Sequence, residues 1–562
     1  MDAKKHWLAV SESLSWRMKP HLAQTGAWPR IRWYEDGALN LSESCLDRHV
    51  LGGRSGTIAI VELLEDGRRR EITYGELLAK TNRYANLLVR EGIRKGDAVI
   101  IYMPAVIETA AAMLACARVG AIHLVVFAGL SKEALQERAR GLRARATMIA
   151  DVTFRRDKEI DLLSNARSVG KGKKLFVLKR KKSTVLEKGE IDLEAKARLE
   201  NGAFEARQMK SSDPLFVLYT SGSTGKPKGI IHTHGGYGAY AAYTARHTFG
   251  LKPGTVFWCT ADFGWITGHS YVLYGALASG ATTVIAEGAL DFPKADRWKQ
   301  ILKKEKVNVF YTSPTAIRIF RKEWKGKPAS FSHLKRLGSV GEPLNPEVEK
   351  WFRKNIGGGK LPVLDTWWQT ETGGHLITSG IPLPGIAAKI RRPDSSGKGE
   401  LVIEKPWPGM LSGCFGDEKR FRKYFSKGKF ITGDYARMEK GRIQILGRFD
   451  DVVNVSGHRI GSAEVENAIL LHPSVIESAV IGVPDEVTGE ALCAFVVTKK
   501  DTAVTFEEIK LTVRKHIGAY AAPKLVRFVA SLPKTRSGKI MRRLLRADFA
   551  GEKPGDTSTL EN

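Results

Sequence analysis

Near the middle of the chain, Tyr219-Thr220-Ser221-Gly222-Ser223-Thr224-Gly225-Lys226-Pro227-Lys228-Gly229 gathers five hydroxyls, three glycines and two lysines directly behind the apolar run LFVL. Glycines let backbone amides turn towards a ligand. Hydroxyls and amides of Ser221, Ser223 and Thr224, beside two ammonium groups, supply the donors and positive charge that a triphosphate needs. The stretch is not a Walker A loop, because Pro227 stands after Lys226 where that pattern needs Ser or Thr, and the first glycine is displaced. A flexible surface turn would account for the glycines but not for the lysines and hydroxyls packed behind a strand.

Such a loop must be carried by a strand, and the surrounding sequence supplies strands in number. From about Ile72 onward, short apolar runs (AVIIYMP, AIHLVVF, LFVLYTS) alternate with longer amphipathic stretches such as GELLAKTNRYANLLVREG. That is the rhythm of βαβ units. Strands with little polar alternation imply a mainly parallel sheet covered on both faces. Near Asp450 the pattern changes: GRFDDVVNVSGHRIG leads into the helix candidate AEVENAILLHP and the strand candidates ESAVIGVP and ALCAFVVT. The expected fold class is α/β, with a large multi-sheet α/β N-terminal domain (1–449), a small α+β C-terminal domain (450–550) and a polar tail (551–562) expected to be disordered.

Composition narrows the function classes. The 562 residues exceed what one core usually serves, and 43% hydrophobic with 27% charged residues exclude a disordered or collagen-like chain. A net charge of +29 fits anionic small substrates, an anionic membrane or nucleic acid. The densest basic stretch, Lys171 to Lys182, has an apolar centre and reads as a strand with solvated flanks. Without an aromatic-interleaved basic stripe or a DNA-reading motif, no nucleic-acid partner is expected. The five cysteines form no CxxC pair, which argues against zinc or a disulfide framework and for a reducing compartment. The first residues lack an apolar core of signal-peptide length, and no run is long enough for a membrane span, so a cytoplasmic location is expected.

The glycine-rich loop resembles the phosphate-binding signature of the adenylate-forming superfamily: acyl-CoA synthetases, peptide-synthetase adenylation domains and luciferases. Five further segments continue the resemblance in order: Gly341-Glu342-Pro343; Asp365-Thr366-Trp367-Trp368-Gln369-Thr370-Glu371-Thr372-Gly373-Gly374; Thr432-Gly433-Asp434; Gly447-Arg448-Phe449-Asp450-Asp451; and Pro533-Lys534-Thr535-Arg536-Ser537-Gly538-Lys539. The resemblance implies ATP as substrate, held by Thr220, Ser221, Gly222, Ser223, Thr224, Gly225 and Lys226, by Gly341, Glu342 and Pro343, and by Asp365 through Thr370. Asp434 would take the ribose hydroxyls, and Arg448 and Arg459 ribose or phosphate oxygens. Glu371 is suited to hold Mg²⁺ accompanying ATP, and His472 is a second candidate metal ligand. Lys539 corresponds to the superfamily's catalytic lysine and Asp450 to its hinge, about which the small domain turns between adenylation and thioester formation. That turn would withdraw Lys539 and bring in the Ser456-Gly457-His458 loop.

Within the superfamily the chain is most similar to the acetyl-CoA synthetase family, at Asp365–Thr370, at Gly264-Trp265-Ile266-Thr267-Gly268-His269-Ser270 and at Asn454-Val455-Ser456-Gly457-His458-Arg459. The resemblance implies that the Trp368 indole walls off an acyl pocket completed by Ile266, Thr267 and Val340, with acetate as the substrate acid and propionate or another short acid as the alternative. It implies CoA as acceptor, met by Arg155, Arg156, Lys158, Thr267, Ser456, Gly457 and Arg514, and it makes Lys539 a target for a lysine acetyltransferase and deacetylase. Three departures stand out. Lys158 replaces the usual arginine, Asp291 stands where asparagine is common, and roughly a dozen residues are missing between Thr378 and Ile381, the size of a loop. A trimmed loop with an intact sheet is expected there.

Overall fold

The computed structural model describes residues 2–130, 132–167, 174–220, 228–324, 328–329, 331–455, 458–486, 489–500, 502–535, 539–553, 557 and 560, without the side chains of 134, 450, 454, 458 and 459. The expectations for Ser221, Gly222, Ser223, Thr224, Gly225, Lys226, Ser456 and Gly457 therefore lie outside the described residues, as do those for the side chains of Asp450 and Arg459.

The apolar runs become interior parallel strands. Ala98–Tyr102 and Ala146–Ala150 are buried at every residue, and they pair in parallel inside an eight-stranded sheet with Ile122–Val125, Lys174–Leu178, Glu190–Asp192 and Pro214–Thr220. A second sheet, nine-stranded among the described residues, runs Ile58–Leu63, Thr282–Ala286, Val256–Cys259, Val309–Thr312, Arg336–Val340 and Val363–Trp367 in parallel. Helix Ile107–Val119, buried over its whole length, and helix Gly235–Phe249 belong to the core that joins the two sheets. An all-round apolar helix of this kind has to lie in an interior. Lys174–Leu178 is the strand expected inside the basic stretch.

A smaller five-stranded antiparallel sheet follows, containing Lys398–Ile403, Lys429–Glu439 and Arg442–Arg448. After the turn Phe449–Asp451 the chain builds a separate sheet from Val452–Val455, His458–Gly461, Val475–Asp485, Gly489–Thr498 and Leu525–Phe528, packed with helices Ser462–Ile469, Phe506–His516 and Arg542–Ala550. This is the smaller C-terminal domain. Leu560 forms a β-bridge with Thr535.

The missing loop has a compact replacement. Strands Ile377–Thr378 and Ile381–Pro382 pair directly through Ser379 and Gly380, at φ 49° and 81°. Positive φ at both central residues marks the mirror-image turn that closes two-residue hairpins. Gly380 O accepts from Ile443 N at 2.8 Å and Ser379 O from Arg442 Nη1 at 2.7 Å, so the trimmed turn is fastened to the neighbouring sheet.

Candidate functional site

The glycine-rich segment 221–227 joins two antiparallel strands, Pro214–Thr220 and Lys228–Thr233, with Thr220 opposite Lys228. Lys228 Nζ lies 5.2 Å from the ring centroid of Tyr424. Burial lowers its pKa, and the Glu371 carboxylate opposes that shift. Tyr424 donates through its hydroxyl to Glu371 Oε1 at 2.6 Å. Glu371 sits in the turn Thr370–Thr372, just past strand Val363–Trp367, and His232 Nε2 donates to Thr370 O at 2.7 Å. Because a carbonyl only accepts, that imidazole carries its proton on Nε2. Burial, which pushes its pKa down to about 4, keeps it neutral. The ring thus fixes the Glu371 turn to the strand that leaves the glycine-rich segment.

Gln369 extends the same turn in the other direction, donating through Nε2 to Asp434 Oδ2 at 2.5 Å and to Thr432 O at 2.8 Å. Asp434 is buried, and desolvation lifts its carboxyl to about 6 against the opposing pull of Arg448. Arg448 Nη1 stands 3.5 Å from Asp434 Oδ1 and donates to Thr432 O at 3.1 Å. The intervening Gly433 has φ 68°, and a Cβ there would come within 2.7 Å of Arg448 Nη2. Only glycine satisfies both the backbone and the guanidinium.

An aspartate with a raised folded pKa makes a testable demand. Between the ordinary carboxyl value and about 6, the folded state holds a proton that the unfolded state releases, so stability falls as pH rises through that window. We expect Asp434→Asn to stabilise the ligand-free protein at pH 8 by on the order of 2 kcal/mol while weakening ATP binding, and to bring no gain at pH 3.5. Thermal unfolding at the two pH values measures it; an equal or negative effect at pH 8 would refute the desolvated-carboxylate account.

From the smaller domain, Lys539 reaches the same place. Its backbone N donates to Thr535 Oγ1 at 3.1 Å and its carbonyl accepts from Thr535 N at 2.8 Å, closing a short hairpin. Lys534 at the hairpin base pairs with Glu477. The residue as a whole stays exposed, and partial desolvation of its ammonium chiefly lowers its pKa, followed by repulsion from Arg448, with Asp434 and Asp451 opposing. Asp451 in turn anchors Arg546 at 2.5 Å, and Arg542 pairs with Glu466 at 2.6 Å. Across the domain boundary, Lys398 Nζ meets Glu464 at 2.9 Å and Asn345 Nδ2 meets Asn467 Oδ1 at 3.2 Å. In this arrangement Lys539 lies within electrostatic reach of the Asp434–Arg448 pair.

On the other flank, Trp368 packs edge-on against Tyr271, centroids 5.2 Å apart at 81°. Tyr271 lies in the helical turn Gly268–Tyr274, which directly follows buried Ile266 and half-buried Thr267. Val340 pairs with Thr366, two residues before Trp368. The four acyl-pocket candidates thus belong to adjoining elements. Thr366 bonds Ser339 O and Tyr311, and Asp365, pushed up to about 7 by burial, lies one strand position before it.

Other candidates are placed differently. Glu342 Oε1 accepts from Thr315 N at 2.8 Å, and Oε2 lies 2.9 Å from Arg318 Nη2, so its carboxylate caps helix Pro314–Glu323 and positions the Gly341-Glu342-Pro343 bend. Gly341 adopts φ 99°. Arg155 ends strand Val152–Arg155, and Lys158 begins the partner strand across a turn with Arg156 and Asp157 at φ 52° and 60°. Arg155 acts electrostatically on Asp262, in the loop before Ile266. Arg156 pairs with Asp291 at 2.8 Å, so the aspartate that departs from the resemblance has a local cation as partner. Arg514 stands exposed in the last turn of helix Phe506–His516. His472 Nδ1 accepts from Ser474 N at 3.3 Å, and no group of three potential metal donors forms among the described residues. Lys228 and Tyr424 complete the site without having been singled out as ligands. Lys228 was legible within the loop, whereas nothing in sequence pointed to Tyr424.

Comparison with known proteins agrees with this geometry. Residues 47–413 match the family model described as AMP-binding enzyme, and residues 464–539 match the AMP-binding enzyme C-terminal domain. The chain is 46% identical over 610 aligned residues to the acetyl-coenzyme A synthetase of Cupriavidus taiwanensis, covering 100% of this chain and 92% of that protein. It is 45% identical to the Escherichia coli (strain K12) acetyl-coenzyme A synthetase, covering 94% of this chain and 87% of that one. In fold it is similar to the acetoacetyl-CoA synthetase from Streptomyces lividans, with TM-score 0.89 and 22% identity over 100% of this chain and 90% of that one. A match of this extent, over both the glycine-rich half and the lysine-bearing domain, establishes that the chain belongs to the AMP-binding enzyme family and, within it, to the acetyl-coenzyme A synthetases.

Proposed function

We propose that the chain is an AMP-forming acetate:CoA ligase, and the observation that carries the reading is that Lys539 of the small domain comes within electrostatic reach of Asp434 and Arg448 of the large one. In the first half-reaction an acetate oxygen attacks the α-phosphorus of ATP and the α–β phosphoanhydride bond breaks, releasing pyrophosphate. Charge accumulates on the phosphate oxygens. The Lys539 ammonium, held by a closed hairpin and partly desolvated, stabilises that charge more than it could in water. Asp434, fixed by Gln369, receives the ribose hydroxyls, and Arg448 lies beside it for ribose or phosphate oxygens.

Glu371 is the residue for Mg²⁺. Tyr424 orients its carboxylate, and a single protein carboxylate suits a magnesium ion that takes its other ligands from phosphates and water. That ion would neutralise phosphate charge and align the leaving group.

In the second half-reaction CoA sulfur attacks the acetyl carbonyl and AMP leaves. The chain boundary at 449/450, the hinge at Asp450 and the exchange of Lys539 for the Ser456-Gly457 loop form the proposed route between the steps. Arg155 and Lys158, with Arg514 delivered by the rotated domain, are the proposed phosphate contacts of CoA; Arg156 joins them on releasing Asp291. The Trp368 indole sets the acid's length. A propionate-type substrate is the second reading, motivated by the shortened Ser379–Gly380 turn at the edge of the sheet that carries Trp368. Acetylation of Lys539 would remove the ammonium and silence the first step. Exchange of labelled pyrophosphate into ATP tests the proposal: exchange that depends on acetate and not on CoA supports it, and exchange without acid or only with CoA contradicts it.

A further inference from the structure

The parallel strands of the nine-stranded sheet carry Val340 and Trp367 at their carboxyl ends, on the side of the candidate site. At the opposite, amino-end edge lies a pocket of about 380 Å³ lined by Arg48, His49, Arg54, Arg246, Lys252 and Ser279. Lys252 precedes strand Val256–Cys259 and Ser279 precedes Thr282–Ala286, which places the lining at the strands' entry.

The cations there are held by neutral groups. Arg48 Nη1 donates to Ser13 O at 2.9 Å, Arg246 Nη2 to Ala278 O at 2.7 Å and Arg54 Nη2 to His49 Nδ1 at 2.8 Å. His49 Nε2 donates to Leu277 O at 2.7 Å. With Nδ1 accepting, the imidazole is neutral, and burial with the surrounding arginines pulls its pKa down to about 4. Arg54 Nε is buried without a hydrogen-bond partner among the described residues. Among those residues no carboxylate pairs with Arg48, Arg54, Arg246 or Lys252; the charged groups acting on Arg246 reduce to Arg48, which repels it. Arg118, Arg180, Arg391 and Arg542, by contrast, have the acids Asp47, Glu287, Glu400 and Glu466, whereas Arg297, like the pocket's arginines, is held by backbone carbonyls. Three half-buried arginines and an exposed lysine around one open pocket repel one another, and a bound anion would relieve that repulsion.

We infer that this pocket binds a small phosphorylated anion at a site separate from the ATP and CoA contacts. Two negative charges and three or more acceptor oxygens match the several Arg and Lys donors that line one pocket, where a carboxylate would engage one guanidinium. The volume falls in the range of roughly 300–1,000 Å³ typical of small-ligand pockets, room for a phosphate and part of the group that bears it.

The test is calorimetric titration of the full chain, with AMP and CoA present at saturation to fill the catalytic phosphate subsites, using inorganic phosphate and a hexose monophosphate as probes. Sodium chloride of matched ionic strength is the control. We expect saturable binding of one equivalent, weakened about tenfold or more by Arg54→Gln and by Lys252→Gln, while acetate-dependent pyrophosphate exchange stays at the parental rate and certifies the fold. Tighter binding of the hexose monophosphate identifies a phosphate ester as the ligand; equal or tighter binding of inorganic phosphate identifies the free ion. Titration no different from chloride, or variants that titrate like the parent, would overturn the inference.

Discussion

Replacing Lys539 with alanine should lower acetate-dependent ATP–pyrophosphate exchange by roughly 10²- to 10³-fold or more, the usual loss on deleting a preorganised charge aimed at a developing anion. Preformed acetyl-AMP should still react with CoA at close to the parental rate. The two halves separate because Lys539 lies within electrostatic reach of the Asp434–Arg448 pair in this arrangement, whereas the thioester step calls for a different face of the same small domain. The hairpin closed by Thr535 limits where the ammonium can go, and Arg542 and Arg546, tied to Glu466 and Asp451, hold the helix that follows it. Alanine removes the charge without disturbing the backbone bonds made by residue 539. Equal loss of both half-reactions would sink the division of labour.

Trp368→Gly should turn a short-acid pocket into one that accepts longer chains. Each added methylene gains only about 0.8 kcal/mol by burial, so a selective site must reject long acids by collision with a fixed ring. Tyr271 holds that ring edge-on and is itself bonded to His375, leaving the indole little freedom to yield. Without it, the ratio of kcat/KM for pentanoate to that for acetate should rise by on the order of 100-fold, one or two discriminating contacts' worth. A merely structural tryptophan would, on removal, depress all acids together and leave the ratio unchanged. Initial rates over a straight-chain series decide between the two.

Local backbone was legible where one short segment carries its own turn residues. The strand behind the glycine-rich loop, the Glu371 turn and the Thr432-Gly433-Asp434 bend all fall where their motifs put them, because glycines and turn residues dictate local backbone irrespective of distant partners. Pairings between remote segments were not legible. Tyr424 meets Glu371 across 53 positions, and Asp291 meets Arg156 across 135. Glu342 belongs with them: its carboxylate caps a neighbouring helix, a role set by the tertiary position of Thr315 and Arg318. The pocket of Arg48, Arg54, Arg246 and Lys252 was hidden for the same reason, since its cations come from two stretches nearly 200 positions apart in a chain rich in basic residues everywhere.

The adenylate is the centre of the account, and the fate of the acetate oxygens tests it most directly. With acetate labelled with ¹⁸O in its carboxylate, the oxygen that attacks the α-phosphorus remains on phosphorus when CoA displaces AMP. Mass spectrometry of the products should find one labelled oxygen in AMP for each acetyl-CoA formed and none in pyrophosphate. Unlabelled AMP, or ADP with label in inorganic phosphate, would mean an acyl-phosphate or other route and would contradict it.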